Sequence, residues 1–449
     1  MNTSDGQQIE ATLTNQFQWR RTNAPTANSR TDDIWFVDSN RGWAVNSNGH
    51  ILHTVNGGVT WERQFAAGAN IYLRCVGFAN DQKGWVGSVS RARRLFRTID
   101  GGITWSPVTN LPPEAPPAIC GLSVVNERVV YAAGTNFPDQ PTSVIKTTDG
   151  GATWTGIDMT EHATLLVDIF FREERRGFVV GGKANVPNPD RDDVIPVVLF
   201  TEDGGQTWEN RLEGMEAEFP RGEWGWKIQF LNDLVGYVSL ENFDDGAILK
   251  TVDGGLTWRR IIINDPQDNA NLEGIGFVDE NLGWVGGWGD KDGIGGFSSE
   301  TRDGGQTWTD ANHIGNRINR FRFIREPELV GYASGRTVYK YSAATDLFTA
   351  FAKNIANEEA DDTIISSLPV QIPLNFRNDG SESLQMDIWD RFGEHMATLR
   401  YESAALAEGK REITWSGETE SGKTAKAGLY IYRITAGDSV ESRSLVIKE

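Results

Sequence analysis

Thr251-Val-Asp-Gly-Gly-Leu-Thr-Trp258 is one of six copies of a single octapeptide, T-x-[DN]-G-G-x-T-W. The others occupy residues 54–61, 98–105, 147–154, 201–208 and 301–308, and the closing tryptophans are spaced by 44, 49, 54, 50 and 50 residues. Asp-Gly-Gly and Asn-Gly-Gly are hairpin-turn chemistry. The glycines take positive φ without steric cost, and the Asp side chain bonds neighbouring backbone N–H groups. The following ring inserts between packed sheets. Asn56, Asp100, Asp149, Asp203, Asp253 and Asp303 therefore read as turn-ordering residues, and Trp61, Trp105, Trp154, Trp208, Trp258 and Trp308 as packing residues. Asn56 fits this role because it keeps the turn while losing the charge.

A second signal runs in phase with the first: a phenylalanine, then a glycine followed by an aromatic residue. It appears as Phe36 with Gly42-Trp43, Phe78 with Gly84-Trp85, Phe171 with Gly177-Phe178, Phe230 with Gly236-Tyr237 and Phe277 with Gly283-Trp284. The third unit is degenerate at Val130-Tyr131, and a seventh occurs at Gly331-Tyr332. Seven units of about 48 residues, each with four short strands, predict an all-β chain built on a seven-bladed β-propeller over residues 1–352. The seventh unit lacks the octapeptide, and Phe348 stands where its tryptophan should be. Phe17-Gln-Trp19-Arg-Arg looks like the strand after an octapeptide but has none before it. It is expected to pair near residues 338–340 and fasten the last blade to the first, in preference to residues 347–352 supplying that strand.

The octapeptide resembles the Asp-box, or bacterial neuraminidase repeat, found in sialidases, xyloglucanases, sortilin-like receptors and the photosystem II assembly/stability factor family. The seven-unit count and the in-phase Phe36-Val-Asp38 and Phe277-Val-Asp279 signatures resemble the last most closely. That resemblance implies a non-enzymatic assembly factor.

Residues 353–363 are polar and acidic and read as a linker. Residues 364–449 carry short alternating runs at 384–389, 395–400, 412–415, 428–435 and 442–447, divided by turn signals, which predicts a small β-sandwich. The order of Leu384-Gln-Met-Asp-Ile-Trp-Asp-Arg-Phe-Gly, Gly409-Lys-Arg-Glu-Ile-Thr-Trp-Ser-Gly, Gly428-Leu-Tyr-Ile-Tyr and Ser444-Leu-Val-Ile-Lys resembles the immunoglobulin-like domain of flagellar hook-cap proteins. It resembles the type IX secretion sorting domain equally well. The resemblance implies an extracellular or cell-surface protein, with the periplasm as the alternative. The start, Met1-Asn-Thr-Ser-Asp-Gly, has neither the basic region nor the apolar run of a signal peptide.

A formal net charge of −19 argues against a nucleic-acid partner and against docking to an anionic membrane. No apolar run is long enough for a transmembrane helix. Cys75 and Cys120 are too few for a disulfide scaffold and are expected to be buried free thiols. Five scattered histidines offer no zinc site, and Asp290-Lys-Asp-Gly293 lacks the later ligands of a calcium loop. No cofactor or metal is expected.

In a propeller the a–b turns and the c–d octapeptides share one face, and the b–c and d–a loops share the other. Only the second set varies widely in length here, so function is expected on that face. Its candidate binding residues are Arg91, Arg93, Arg94, Arg221, Trp224, Trp226, Trp288, Arg317 and Arg320, since Arg and Trp are favoured interface anchors. The expected function is a protein-binding or assembly module whose partner is another protein or complex, with the cell envelope as its expected setting. A glycan ligand is kept open by the alternative, a secreted glycan-active enzyme, for which Asp32, Asp33, Glu218, Glu223 and Asp290 are the acids on suitable segments. A third reading is a structural subunit of a surface assembly.

Overall fold

The computed structural model describes residues 17–68, 70–265, 270–289, 296–315, 317–343, 364–373, 383–390, 395–401, 412–420, 422–436 and 439–448. Among them, seven four-stranded antiparallel sheets follow one another around an axis. Six are continuous in sequence, at residues 31–66, 73–107, 121–158, 165–210, 224–262 and 272–310. The inner strand of each blade lies beside the inner strand of the next, and the first (Thr31–Phe36) lies beside the last (Arg320–Ile324), so the ring closes.

The seventh sheet contains both ends of the propeller. Phe17–Arg21 pairs antiparallel with Val338–Ala343, with Trp19 opposite Tyr341 and Arg20 opposite Lys340. The expected N-terminal closure is present; the competing strand and Phe348 lie outside the described residues. Only Trp19 of these five residues is buried, at 6% exposure. Its ring meets Trp284, Phe321 and Phe323 edge-on, at centroid distances of 5.4, 5.5 and 6.2 Å.

The in-phase glycines have a steric cause. A Cβ on Gly42, Gly84, Gly177 or Gly283 would lie 2.4–2.5 Å from the ring of Phe36, Phe78, Phe171 or Phe277 respectively. The inner-strand phenylalanine lies flat across the second strand, and only glycine leaves room for it. Its other face receives the aromatic residue of the preceding blade. Trp43 stacks on Phe78 at 3.6 Å, Tyr131 on Phe171 at 3.6 Å, Tyr237 on Phe277 at 3.7 Å, and Tyr332 on Phe36 at 3.6 Å across the closure. The octapeptide tryptophan then meets the phenylalanine of its own blade edge-on, as Trp308 does with Phe277 at 87°. The aromatic motif thus recurs around the ring except in the degenerate third unit, which has Val124 where the others have phenylalanine.

The octapeptide turn is held by its own side chains. Asp253 Oδ1 accepts from the Thr251 hydroxyl at 2.8 Å and from the Thr257 N–H at 3.0 Å, and Oδ2 accepts from the Thr257 hydroxyl. The Thr251 hydroxyl oxygen in turn accepts from Gly255 N–H at 2.9 Å. Gly254 and Gly255 have φ of 78° and 85°, a region closed to most side chains. Asn56 makes the equivalent Oδ1 contacts with Thr54 and Thr60. Four bonds, from the Thr307 hydroxyl and N–H, the Thr301 hydroxyl and the Gln306 N–H, hold the Asp303 carboxyl down at about 2.

The C-terminal segment forms a five-stranded sheet in the order Ile364–Ser366, Ser439–Ile447, Gly428–Ala436, Leu384–Asp390, His395–Tyr401. A two-stranded sheet of Val370–Pro373 and Glu412–Trp415 packs on it. Ile372, Ile413 and Trp415 of the small sheet share one core with Met386, Ile388, Tyr432 and Ile434 of the large one. The expected 353–363 linker lies outside the described residues.

Candidate functional site

The inner strands are apolar at most positions, yet each of six carries buried ionic or polar groups near its start. Most of these strands are bulged there, with register shifts at Thr31/Asp33, Leu73/Cys75, Leu166/Asp168, Gly225/Ile228 and Leu272/Gly274. A bulge opens the ladder and re-aims side chains. Asp33 Oδ2 accepts from Val76 N–H at 3.2 Å, and Asp168 Oδ2 from Ile228 N–H at 3.1 Å, so each carboxylate caps the next blade's opened backbone.

Two tiers of charge result. In the deeper one, Arg320 of blade seven donates Nε to Asp33 of blade one at 2.9 Å and both Nη groups to Asp168 of blade four at 2.8 and 2.9 Å. All three are buried. Lys227 of blade five is 1% exposed, and its Nζ has no hydrogen-bond partner. Burial, then the nearby Arg320 charge, bring its amine down to about 8 against the pull of Asp168 and Asp33.

The upper tier lies at the b–c and d–a end of the axis, the variable-loop face. Arg30 bonds Asp32 at 2.9 Å, Tyr72 at 3.2 Å and Glu273. Arg74 bonds the same Asp32 oxygen at 2.7 Å. Around these pairs, guanidinium and indole planes alternate. Arg317 lies 4.2 Å from the centroid of Trp288, Arg30 lies 4.7 Å from Trp288 and 6.0 Å from Trp226, and Arg74 lies 4.7 Å from Trp226. The order Arg317–Trp288–Arg30–Trp226–Arg74 draws on blades seven, six, one, five and two. Trp288 and Arg317 are half-buried, while the inner members are buried. Desolvated guanidinium–indole contacts are worth up to about 2 kcal/mol each and fix both planes.

Glu241 ends the second strand of blade five beside this cluster. It is 4% exposed, and its Oε2 receives no hydrogen bond. Burial, then the charge of Glu273, push its carboxyl up to about 8 against Arg191, Arg30 and Arg74.

The structure brings together four of the nine candidate binding residues: Trp226, Trp288, Arg317 and Arg320 converge on the axis. Trp224 is fully buried beneath Arg191, which lies 5.4 Å from its centroid. Arg94 is half-buried and donates to the carbonyls of Ala115 and Pro116. Arg91, Arg93 and Arg221 are exposed, Arg93 reaching the Ala67 carbonyl and Arg221 paired with Asp193. Trp224, Trp226 and Arg320 are thus interior residues of the variable-loop end, not surface anchors. The candidate acids are corrected too. Asp32 and Asp33 lie in an inner strand and are tied to arginines, and Glu223 is fully enclosed, with both oxygens on Arg260 at 2.7 and 2.9 Å. Glu218 is exposed, and Asp290 lies outside the described residues. Cys75 and Cys120 are buried free thiols. Arg30, Arg74, Tyr72, Lys227, Glu241 and Glu273 escaped the sequence reading; the available signal was a charged residue early in an otherwise apolar inner strand.

The described residues hold no group of three or more His, Cys, Asp or Glu arranged to bind a metal, and no helix long and apolar enough to cross a membrane.

A family model described as photosynthesis system II assembly factor YCF48 matches residues 11–155. No curated protein matches the chain. Among solved structures, YCF48 bound to D1 peptide superposes with a TM-score of 0.52 at 17% identity, covering 73% of this chain and 96% of that one. YCF48 from Cyanidioschyzon merolae gives 0.53 at 19% identity, covering 72% and 98%. A GH74 enzyme from Niastella koreensis gives 0.52 at 13% identity, covering 95% and 73%. At these identities the structural likeness carries the architecture: this chain has the fold of a β-propeller, and its first blades match the YCF48 family model.

Proposed function

We propose that this chain is a protein-binding assembly module that holds a peptide segment of its partner on the variable-loop face, over the axial cluster. The observation that carries the reading is the convergence of Arg317, Trp288, Arg30, Trp226 and Arg74 from five blades onto one end of the axis. A ring needs no such cluster for closure, which the aromatic junctions already provide. Trp288 and Arg317 are the cluster's half-buried members, backed by the buried Arg30, Trp226 and Arg74, and Arg and Trp are the residue types that dominate binding energy at protein interfaces. Two further facts support it: the matching family model is that of an assembly factor, and one structural relative was solved with a peptide bound. The glycan-active alternative is weaker, because Asp32, Asp33 and Glu223 are each committed to an arginine.

An extracellular or cell-surface setting belongs to the same proposal and rests on the C-terminal resemblance to sorting and hook-cap domains. Cell fractionation and surface proteolysis test it.

Crosslinking in the native cell, read by mass spectrometry, tests the site. Crosslinks are expected to concentrate on the variable-loop face, and Trp288→Ala with Arg317→Ala is expected to remove them while the protein still melts cooperatively. Partners retained by that double variant at wild-type level would refute the assignment.

A further inference from the structure

The axial cluster closes most of its ion pairs internally, although Asp32 Oδ2, Arg74 Nε and Nη2 and Asn319 Oδ1 are also buried without a hydrogen-bond partner. Arg30 is held by Asp32 and Glu273, and Arg74 by Asp32. Asn319 donates to Glu273 at 3.3 Å, and the Tyr72 hydroxyl donates to Asp32 at 3.3 Å. In the deeper tier, Arg320 is shared between Asp33 and Asp168. Glu241 stands apart. Among the described residues it is the one carboxylate of the upper tier without an ion pair, and its Oε2 receives no hydrogen bond although the residue is 4% exposed. A buried carboxylate left unpaired is costly. An apolar side chain at the site would serve a purely structural role better.

The charged and titratable groups around it are Glu273 of blade six, Arg30 of blade one, Arg74 of blade two and Arg191 of blade four. Arg30 is engaged by Asp32 and Glu273, Arg191 donates to the Asn136 carbonyl and lies over Trp224, and Arg74 bonds Asp32 through Nη1 while its unpartnered Nε and Nη2 make no bond to Glu241. Among the described residues no donor bonds Glu241 Oε2, which leaves that oxygen open to a donor from a ligand. The chain's charge of −19 attracts such a donor if it is cationic.

We infer that Glu241 is the ligand-reading carboxylate of the axial site and that it pairs with a basic side chain, a lysine amine or an arginine guanidinium, presented by the bound peptide. The inference rests on the peptide-binding reading above and adds the chemistry of the residue recognised.

Proton linkage follows. In the empty site, burial and the Glu273 charge hold the Glu241 carboxyl well above the usual carboxylate range, which favours its protonated form at neutral pH. A cation beside it favours the charged form, so binding near pH 7 releases a proton, and affinity climbs as pH rises from 6 to 8. A neutral carboxyl donating to a ligand carbonyl would release none.

The probes are N-acetyl-arginine amide and its neutral isostere N-acetyl-citrulline amide, titrated into the full chain by calorimetry in two buffers of different ionisation enthalpy. The expected result is preference for the arginine compound, release of a proton at pH 7, and a loss of about tenfold or more in affinity in Glu241→Gln, the scale of a hydrogen bond to a charged group. Since Glu241→Gln could perturb folding, its melt is checked, and the proton count is taken on the wild-type chain alone. Equal binding of the two probes, or no proton release, overturns the inference. A peptide array separates the two readings. Peptides that bind equally well with every Lys and Arg replaced by neutral isosteres, and equally to Glu241→Gln, overturn the role of Glu241 and leave peptide binding standing. An array with no peptide whose binding depends on Trp288 and Arg317 overturns both.

Discussion

Replacing Trp19 by alanine removes the one buried side chain of the strand that closes the ring. A buried tryptophan covers about 150–250 Å², which at about 25 cal/mol per Å² corresponds to ~4–6 kcal/mol. Large-to-small substitutions in cores give a similar range, about 3–5 kcal/mol for Trp→Ala. The Trp19 Nε1 has no hydrogen-bond partner, so the loss is one of packing against Trp284, Phe321, Phe323 and Tyr341. The other four residues of the strand contribute backbone pairing and partly exposed side chains only. We therefore expect Trp19→Ala to lower stability by ~4 kcal/mol and the melting temperature by on the order of 10 °C. Trp19→Phe should recover more than half of that. Calorimetry gives the melting shift, and native-state hydrogen exchange at residues 338–343 reports whether the seventh sheet opens before the rest. Deleting residues 1–21 should have at least the effect of Trp19→Ala. If either variant melts within about a degree of the parent, the strand is an ornament on a ring that closes without it, and the packing argument fails.

Other outcomes follow from the same contacts. Asp253→Ala loses three accepted bonds at one turn and should cost ~1–2 kcal/mol by urea denaturation without altering partner crosslinks, whereas Asp253→Asn should cost little, since Asn56 already fills that role. Lys227→Met should stabilise the chain at pH 7. The amine is held near 8 in the folded state against 10.5 unfolded, so between those values the unfolded chain carries the extra proton and wild-type stability rises with pH. The advantage of the methionine variant over wild type should accordingly shrink from pH 8 to pH 10.5, and a gap that stays constant would discount the buried charge as its origin. Residues 1–355 and 364–449, expressed separately, should each unfold cooperatively, because each has its own core; a non-cooperative melt of either would reject the division.

The ring was legible because its rules are local. Glycines at positive φ, a threonine two residues before the Asp and a tryptophan five after it all sit within eight residues, and the repeat exposes them six times. Trp19 was legible for the same reason, being the octapeptide's tail without its head. The axial site was not, because its members are neighbours only after the ring closes. Arg320 meets an Asp 287 positions away in blade one and another 152 positions away in blade four. Trp224 and Trp226 resembled loop anchors because acidic and basic residues precede them, but they open an inner strand, where both rings are buried. Glu223 read as a loop acid; its enclosure depends on Arg260, which arrives from the outer strand of its own blade. Charge inside an inner strand carries a signal, but its pairing is a property of the circle.

The closing strand also fixes an order of events during synthesis. The Thr22 hydroxyl beside it bonds the carbonyl of Val338, 316 residues further along the chain. At ~5–20 residues per second, a ribosome delivers that half of the blade roughly 15–60 s after the first strand has emerged. Through that interval six blades can assemble side by side, while Trp19 stays in water and the outer edge of the unfinished circle stays unpaired. A strand made before the blades is thus placed after them, and the nascent propeller behaves as an open arc with a loose clasp. Anything that occupies the closing strand in that window, whether a chaperone or a neighbouring copy's edge, competes directly with completion of the circle.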